Sequence, residues 1–307
     1  MGRFVKAAAA IAGIALALSG CSADPEVSVP ILPPSSTAPV GLCLPGAAAT
    51  AVNQLMAAAG TSQAIRVSVD QSTATMTYVA DDQALTIGWD DGSIGPLDSD
   101  ITYVGQASFD VASFNLYDVG LMFEEAAALA KSSQNQQLQI TEYNAGRVLM
   151  TVTTEPESQT IFFQPDASLV QWLTFQSASD LAAALADVDN DGVPVLAIGL
   201  DDQGFYADVR ISESIIERRT RPGKLPSYSA QRNATASYPE FDPRVVDMSV
   251  VADLLSSLPR ALNKPQARVS FVIDMRDDLY SPVIRMTAGL TTRAFSLNGV
   301  DITDQLG

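Results

Sequence analysis

The sequence predicts an α+β protein of two similar domains, each made of two αβββ units in which helices cover antiparallel meander sheets. Three observations predict it. Strand-length runs carry an apolar residue at every second position, longer segments carry them at a 3.6-residue period, and the whole pattern recurs roughly 130 residues later. The recurrence is clearest between FDVASFNLYDVGLMFEEAAALAKS, from Phe109, and FDPRVVDMSVVADLLSSLPRALNK, from Phe241. In that register Phe109 matches Phe241, Asp110 matches Asp242, Leu116 matches Met248, Val119 matches Val251 and Met122 matches Leu254. The copies are expected over residues 47–172 and 173–307.

Each copy opens on a short helix, 50–59 in the first and 179–186 in the second, the latter with Ser179 or Asp180 as N-cap. In the first copy strands follow at 65–70, 75–80 and 84–89, separated by Gln71-Ser72-Thr73 and Asp81-Asp82-Gln83. The run stops at Asp90-Asp91-Gly92, a turn former. A polar connection leads to Phe109 and to a longer helix, 116–131. Its residues Leu116, Val119, Met122, Phe123, Ala126 and Leu129 form one apolar face. Strands at 138–143, 147–153 and 159–164 complete the copy. The second copy gives strands at 195–200, 205–211 and 214–219, a helix at 249–262, then strands at 268–275, 283–288 and 294–297.

The N-terminus is of a different kind. Arg3 and Lys6 precede the apolar stretch 7–18, too short to span a bilayer comfortably, so residues 1–20 are read as an export signal. The stretch ends in Leu18-Ser19-Gly20-Cys21, which resembles the lipobox of bacterial lipoproteins. That resemblance implies diacylglyceryl transfer to the Cys21 thiol, cleavage before it, palmitate-type acylation and a place on the outer face of the cytoplasmic membrane. Residues 21–46 are read as the lipidated Cys and a tether. Six prolines in this segment keep an extended chain and exclude a regular helix. The other thiol, Cys43, then has no partner for a disulfide and reads as a small apolar residue at the domain entry.

Composition excludes several function classes. The 307 residues contain 18 Lys plus Arg, 35 Asp plus Glu, two Cys and no His. Without His there is no Ser-His-Asp or Cys-His nucleophile system, and two thiols cannot build a multi-thiolate zinc site. A net charge of −17 opposes nucleic-acid binding, which needs a basic footprint. Cleavage before Cys21 removes two basic residues and no acidic one, leaving −19. The charge is uneven, with 3 basic against 17 acidic residues over 22–175 and 13 against 18 over 176–307.

The combination of helix, three-stranded meander and a Trp89-Asp90-Asp91-Gly92 turn resembles the PepSY type of αβββ module found in envelope lipoproteins of high-GC Gram-positive bacteria. The stretch from Phe241-Asp242-Pro243 to Leu262 is similar to the LppX/LprG lipid-carrier lipoproteins of mycobacteria, whose half-barrel sheet covers an acyl pocket. The first resemblance implies a binding or assembly role toward an envelope protein or wall component. The second implies a lipid or glycolipid carrier with an apolar cavity. Neither brings a catalytic motif, and no enzyme activity is expected.

Three clusters are candidates for chemistry. Asp187, Asp189 and Asp191 stand in the D-x-D-N-D-G start of a calcium loop, with Gly192 for the sharp turn. The twelfth position, which should be a bidentate Glu, is Ile198, so the same run also reads as an acidic helix-to-strand turn. Any Ca2+ there would be held weakly, and no other cofactor is expected. The carboxylate pairs Asp81/Asp82, Asp90/Asp91, Glu124/Glu125, Asp201/Asp202 and Asp277/Asp278 leave a carboxylate-based hydrolase as the one catalytic class open. Arg218, Arg219, Arg221, Lys224 and Arg232 place five cations in fifteen residues and are the candidate partner-binding loop, toward anionic headgroups, phosphorylated wall polymer or an acidic protein.

Overall fold

Alternation of apolar and polar side chains decides most of the fold. The computed structural model describes residues 41–98, 101–155, 159–189, 192–277 and 280–306. The export signal, Cys21 and the tether up to residue 40 lie outside the described residues, as do Asp191 and Asp278.

The first half contains α1 (Ala47–Ala59), β1 (Gln63–Ala64), β2 (Arg66–Val69), β3 (Thr73–Ala80), β4 (Gln83–Asp90) and β5 (Ser93–Leu97). It continues with β6 (Phe109–Asp110), α2 (Val119–Ala130), β7 (Gln134–Asn144), β8 (Arg147–Glu155) and β9 (Thr160–Phe163). The second half contains α3 (Ala178–Val188), β10 (Ala197–Leu200), β11 (Phe205–Ser212), β12 (Ile215–Arg221) and β13 (Tyr228–Asn233). After these come α4 (Met248–Ala261), β14 (Val269–Asp274), β15 (Val283–Ala288) and β16 (Thr291–Phe295). Two seven-stranded antiparallel sheets result, ordered β5-β4-β3-β2-β7-β8-β9 and β13-β12-β11-β10-β14-β15-β16, and β1 pairs with β6 separately.

The two sheets share one order. A meander of four strands is joined through its first strand to a meander of three. The expected three strands in the opening unit of each half are therefore four, through β5 and β13. Both were hidden for the same reason. They are edge strands of weak strand-forming sequence, SIGPL with an internal Gly and Pro, and YSAQRN, mostly exposed. Asp90-Asp91-Gly92 is a turn, but a two-residue hairpin turn between β4 and β5. Asp91 (φ 45°) and Gly92 (φ 84°) adopt the left-handed backbone that such turns require.

Each half puts its two helices on one sheet face. In β2 and its neighbours, Val67 lies opposite Met76 and Ile140, and Val69 lies opposite Ala74 and Leu138. These side chains join Val52 and Leu55 of α1 and Met122, Phe123 and Ala126 of α2 in one buried cluster. The second half repeats this with Ile198, Phe205, Ala207, Phe271, Ile273 and Met286 against Leu181 and Val251. Caps fix the helix starts. Asp118 accepts from the Leu121 N–H at 3.0 Å, Ser177 from Asp180 at 3.1 Å, and Asp247 from Ser249 at 2.8 Å. The cap of α3 is thus Ser177, ahead of the expected Ser179 or Asp180.

Phe109 and Phe241 hold equivalent places. Phe109 pairs with Ala64 and Phe241 bridges Val195, and the Asp that follows each caps a short 3-10 turn. Past that turn the register slips by three, because four residues separate it from Asp118 but Val246 alone separates it from Asp247. Val119 therefore corresponds to Met248, and Met122 to Val251, each pair buried.

The start of α2 passes against the chain at Cys43. A methyl group on Gly120 would stand 2.4 Å from the Cys43 carbonyl oxygen. Ala is the better helix former, yet Gly120→Ala is expected to destabilise the protein by about 1–3 kcal/mol, because backbone must shift. A urea melt read by circular dichroism checks this, and an unchanged or raised midpoint contradicts the packing described.

Candidate functional site

The five predicted cations belong to a hairpin, not a free loop. Arg218, Arg219 and Arg221 lie on β12, Lys224 in the turn and Arg232 on β13. Their alternation sends them to opposite faces of the sheet. Arg218 lies opposite Asp208 on β11 and grips it with both ends of its fork, Nε to Oδ1 at 2.8 Å and Nη2 to Oδ2 at 2.9 Å. It also reaches Asp201 at 3.3 Å and stacks 3.8 Å from the Tyr206 ring centroid. Arg232 donates to the same Asp208 at 2.9 Å. On the other face Arg219 pairs with Glu217 at 2.8 Å and donates to the Val188 carbonyl.

Arg221 does the most structural work. It is 1% exposed, and its Nε donates to Asp187 at 2.5 Å. Its remaining N–H groups donate to the carbonyls of Pro222, Leu225 (2.5 Å) and Gln171. Gln171 belongs to the chain leaving the first half, so this guanidinium ties that chain, the end of α3 and the hairpin turn together. The turn makes further contacts with the first half. Tyr143 donates to the Pro226 carbonyl at 3.2 Å, Arg147 to the Ser227 hydroxyl at 2.8 Å, and the Ser229 N–H to the Asn144 side chain at 2.9 Å. Lys224 sits 4.6 Å from the Trp172 ring centroid.

The acidic run is drawn the same way. Asp187 is the partner of Arg221, and Asp189 closes α3 with its Oδ1 buried and without a hydrogen bond. Burial pushes the Asp189 carboxyl above its usual range. Among the described residues no three His, Cys, Asp or Glu side chains are gathered that could hold a metal ion. Cys43 is buried, and burial followed by the nearby Asp70 charge raises its thiol.

The faces turned away from the helices differ sharply between the sheets. On the second sheet Asp208, Ala197 and Asp274 stand in one row across β11, β10 and β14. Asp274 is fully buried and takes Arg285 at 2.6 Å and also Arg276. The segment 234–241 crosses this face, where Arg210 pairs with Glu240 at 2.9 Å and donates to the carbonyls of Ala236 and Tyr238. Tyr238 lies 5.8 Å below Arg276. Carboxylates and guanidiniums there neutralise one another under a covering chain.

The corresponding face of the first sheet is open and bears hydroxyls and amides. Leu97, Thr86, Thr77, Arg66 and Thr141 form one row across it, and Gly88, Thr75, Ser68 and Gln139 form the next. Leu97 leans over Gly88, where an added Cβ would meet it at 2.5 Å. The result is a groove of about 290 Å³. Thr77 and Thr86 share a hydrogen bond at 2.9 Å, and the Gln139 amide donates to Gln137 at 2.6 Å. Among the described residues the Arg66 guanidinium and the Ser68 and Thr75 hydroxyls carry no such bond. Sequence reading missed this groove. Its signal was the polar half of the strand alternation, which is what any solvent-facing sheet surface shows.

Removing the fork of Arg221 orphans three carbonyls and Asp187, so Arg221→Met is expected to cost about 2–4 kcal/mol in a urea melt. Arg221→Lys, with a single charged point, is not expected to restore it. Burial pushes the Tyr206 hydroxyl up to about 12, against the pull of Arg218. In the unfolded chain it ionises near 10, so between about pH 10 and 12 the unfolded state holds fewer protons and stability falls as pH rises. Tyr206→Phe has no hydroxyl to ionise. The difference in urea midpoint between wild type and variant should stay constant from pH 7 to 9 and shift against wild type above 10.

No protein-family model and no curated protein matches the chain. Among solved structures it is matched, at very low similarity, with bacterial DNA polymerase sliding clamps. The Pseudomonas aeruginosa clamp with ligand gives 11% identity and a TM-score of 0.14, over 75% of this chain and 55% of that one. The Bartonella birtlesii clamp bound to griselimycin gives 11% and 0.14 over 75% and 55%, and the H. pylori clamp with 5-chloroisatin 8% and 0.13 over 75% and 54%. The chain thus spans about half the length of these proteins, and a likeness this slight carries no inference about fold or function.

Proposed function

We propose that the protein is a lipid-anchored envelope lipoprotein, acylated at Cys21 and held outside the cytoplasmic membrane by a Pro-rich tether. Its folded part is a non-catalytic binding module for a wall component. The observation that carries this reading is the groove on the helix-free face of the first sheet, lined mainly by hydroxyls and amides with Leu97 and Ile101 at its wall. Such a surface suits a polar, hydroxyl-rich ligand, each hydrogen bond replacing one to water.

The remaining features agree with a binding role. Asp81/Asp82 and Asp90/Asp91 lie at hairpin turns and Glu124/Glu125 on α2, while Asp201 pairs with Arg218, Asp202 with Arg268 and Asp277 with Arg285. That leaves them suited to structure rather than to acid–base work. The five hairpin cations are engaged within the fold, which moves the candidate surface from that hairpin to the first sheet. A carrier reading draws no comparable support, because buried side chains fill the space between helices and sheets in both halves. No helix among the described residues is long and apolar enough to cross a membrane, so the anchor in this reading is the acyl group. The common strand order of the sheets supports a duplicated ancestor, with copies at 47–172 and 173–307 each descended from paired helix-and-meander units.

The test is co-sedimentation of the full chain, extracted in detergent, with purified insoluble wall polymer from its host. Wild type is expected to sediment with the wall, and a Ser68→Ala/Thr75→Val variant to do so several-fold less. Equal sedimentation of both, or none of either, contradicts the reading. Cys21→Ala should abolish palmitate incorporation while leaving wall binding intact.

A further inference from the structure

Resting on the wall-binding reading, we infer that the groove on the first sheet recognises a sugar unit bearing a single negative charge, carboxylate or phosphate, and that Arg66 reads that charge. Arg66 lies on β2, the central strand of the sheet, between Thr77 of β3 and Thr141 of β7. It is half-buried in a groove whose lining is mostly neutral and polar but includes Asp70 and Asp98, and it has no ion-pair partner among the described residues. Most other arginines among the described residues are engaged differently. Arg210, Arg218, Arg221, Arg276 and Arg285 each hold a carboxylate. A guanidinium set in a groove without its counter-charge is a ready donor to an external carboxylate or phosphate, with fork geometry that matches either.

The neighbours select for a hydroxylated ligand. Ser68 and Thr75 offer hydroxyls in the row beside Arg66. The Gln137 amide N–H groups and the Gln139 carbonyl oxygen remain available once the bond between these two side chains is made. Leu97 supplies one apolar wall for a ring face. Asp70, at the far end of β2, does not compete for Arg66. One of its oxygens accepts from the Ser72 and Thr73 N–H groups at 2.7 Å, and the other from the Thr73 hydroxyl at 2.6 Å. Four residues along a strand also put it about 13 Å from Arg66.

Charge sets the limit of one. Residues 47–172 carry 3 basic against 15 acidic side chains, and Asp98 stands at the groove's rim. Arg66 is the one cation in the groove lining, so an isolated anionic group can meet it directly, whereas a polyanion extends beyond the Debye length of about 8 Å into the surrounding negative field. The preferred ligand is therefore a sugar with one isolated acidic group among several hydroxyls.

Saturation-transfer NMR on the detergent-extracted full chain tests this with three probes, glucuronic acid, glucose 6-phosphate and glucose. Transfer is expected to at least one of the two acidic sugars, and the one favoured tells carboxylate from phosphate. Glucose should bind much more weakly. Arg66→Gln should weaken acidic-sugar binding roughly tenfold to hundredfold, the worth of a charge-assisted hydrogen bond, and Arg66→Lys should restore part of it. Glucose binding as well as its acids, Arg66→Gln binding like wild type, or no transfer to any probe would overturn the inference. Wall co-sedimentation that survives any of these results leaves the broader binding function standing.

Discussion

A seven-stranded antiparallel sheet has two faces, and each half of this chain supplies helices for only one of them. The rest of the structure follows from how the second face is treated. Strand alternation requires that every apolar side chain aimed at the helices be followed by one aimed away, so both uncovered faces must be polar. The second sheet meets this with paired Asp and Arg side chains under a crossing segment. The first meets it with hydroxyls, amides and, in Arg66, a guanidinium without an ion-pair partner among the described residues.

The difference has an energetic logic. Burying Asp208 and Asp274 takes carboxylates out of water, a cost recovered only by close, multiple hydrogen bonds to arginine. Each therefore has two guanidinium partners, and the face is chemically closed. Ser, Thr and Gln cost less to leave half-solvated and keep hydrogen-bonding capacity to exchange with a ligand. The junction between the halves belongs to the closed category as well. Arg221, Tyr143 and Arg147 spend their donors on the carbonyls and hydroxyl of the β12–β13 turn, which holds that turn to the first half.

Much of the fold was legible in the sequence, and the exceptions have physical causes. Alternating runs such as 65–70 and the apolar stripe of α2 exposed the core directly, since burial leaves a periodic mark. The edge strands β5 and β13 left none, because Gly95, Pro96 and a run of exposed polar residues look alike in strand and loop. The basic cluster misled for a related reason. Arg218 and Arg221 acquire partners across strands and across the junction, from Asp208 and Asp187, and a linear sequence does not display cross-strand pairing. The groove was the least legible of all. Ser68, Thr75 and Gln139 read as ordinary solvent-facing residues until register places them side by side, and Arg66 is distinguished only by having no ion-pair partner among the described residues. The resemblance of Leu18-Ser19-Gly20-Cys21 to a lipobox rests on the sequence alone.

The central claim is that the uncovered face of the first sheet is where the ligand sits. The most direct measurement places a thiol there. In Ser68→Cys made on a Cys21→Ala background, with Cys43 buried, the new thiol is the reactive one, and its alkylation rate reports access to the groove. The account predicts that wall polymer slows this rate several-fold, while a thiol at Thr292 on the second sheet, in Thr292→Cys, is alkylated at the same rate with and without polymer. An unchanged rate at position 68 in protein demonstrably bound to the wall would contradict it.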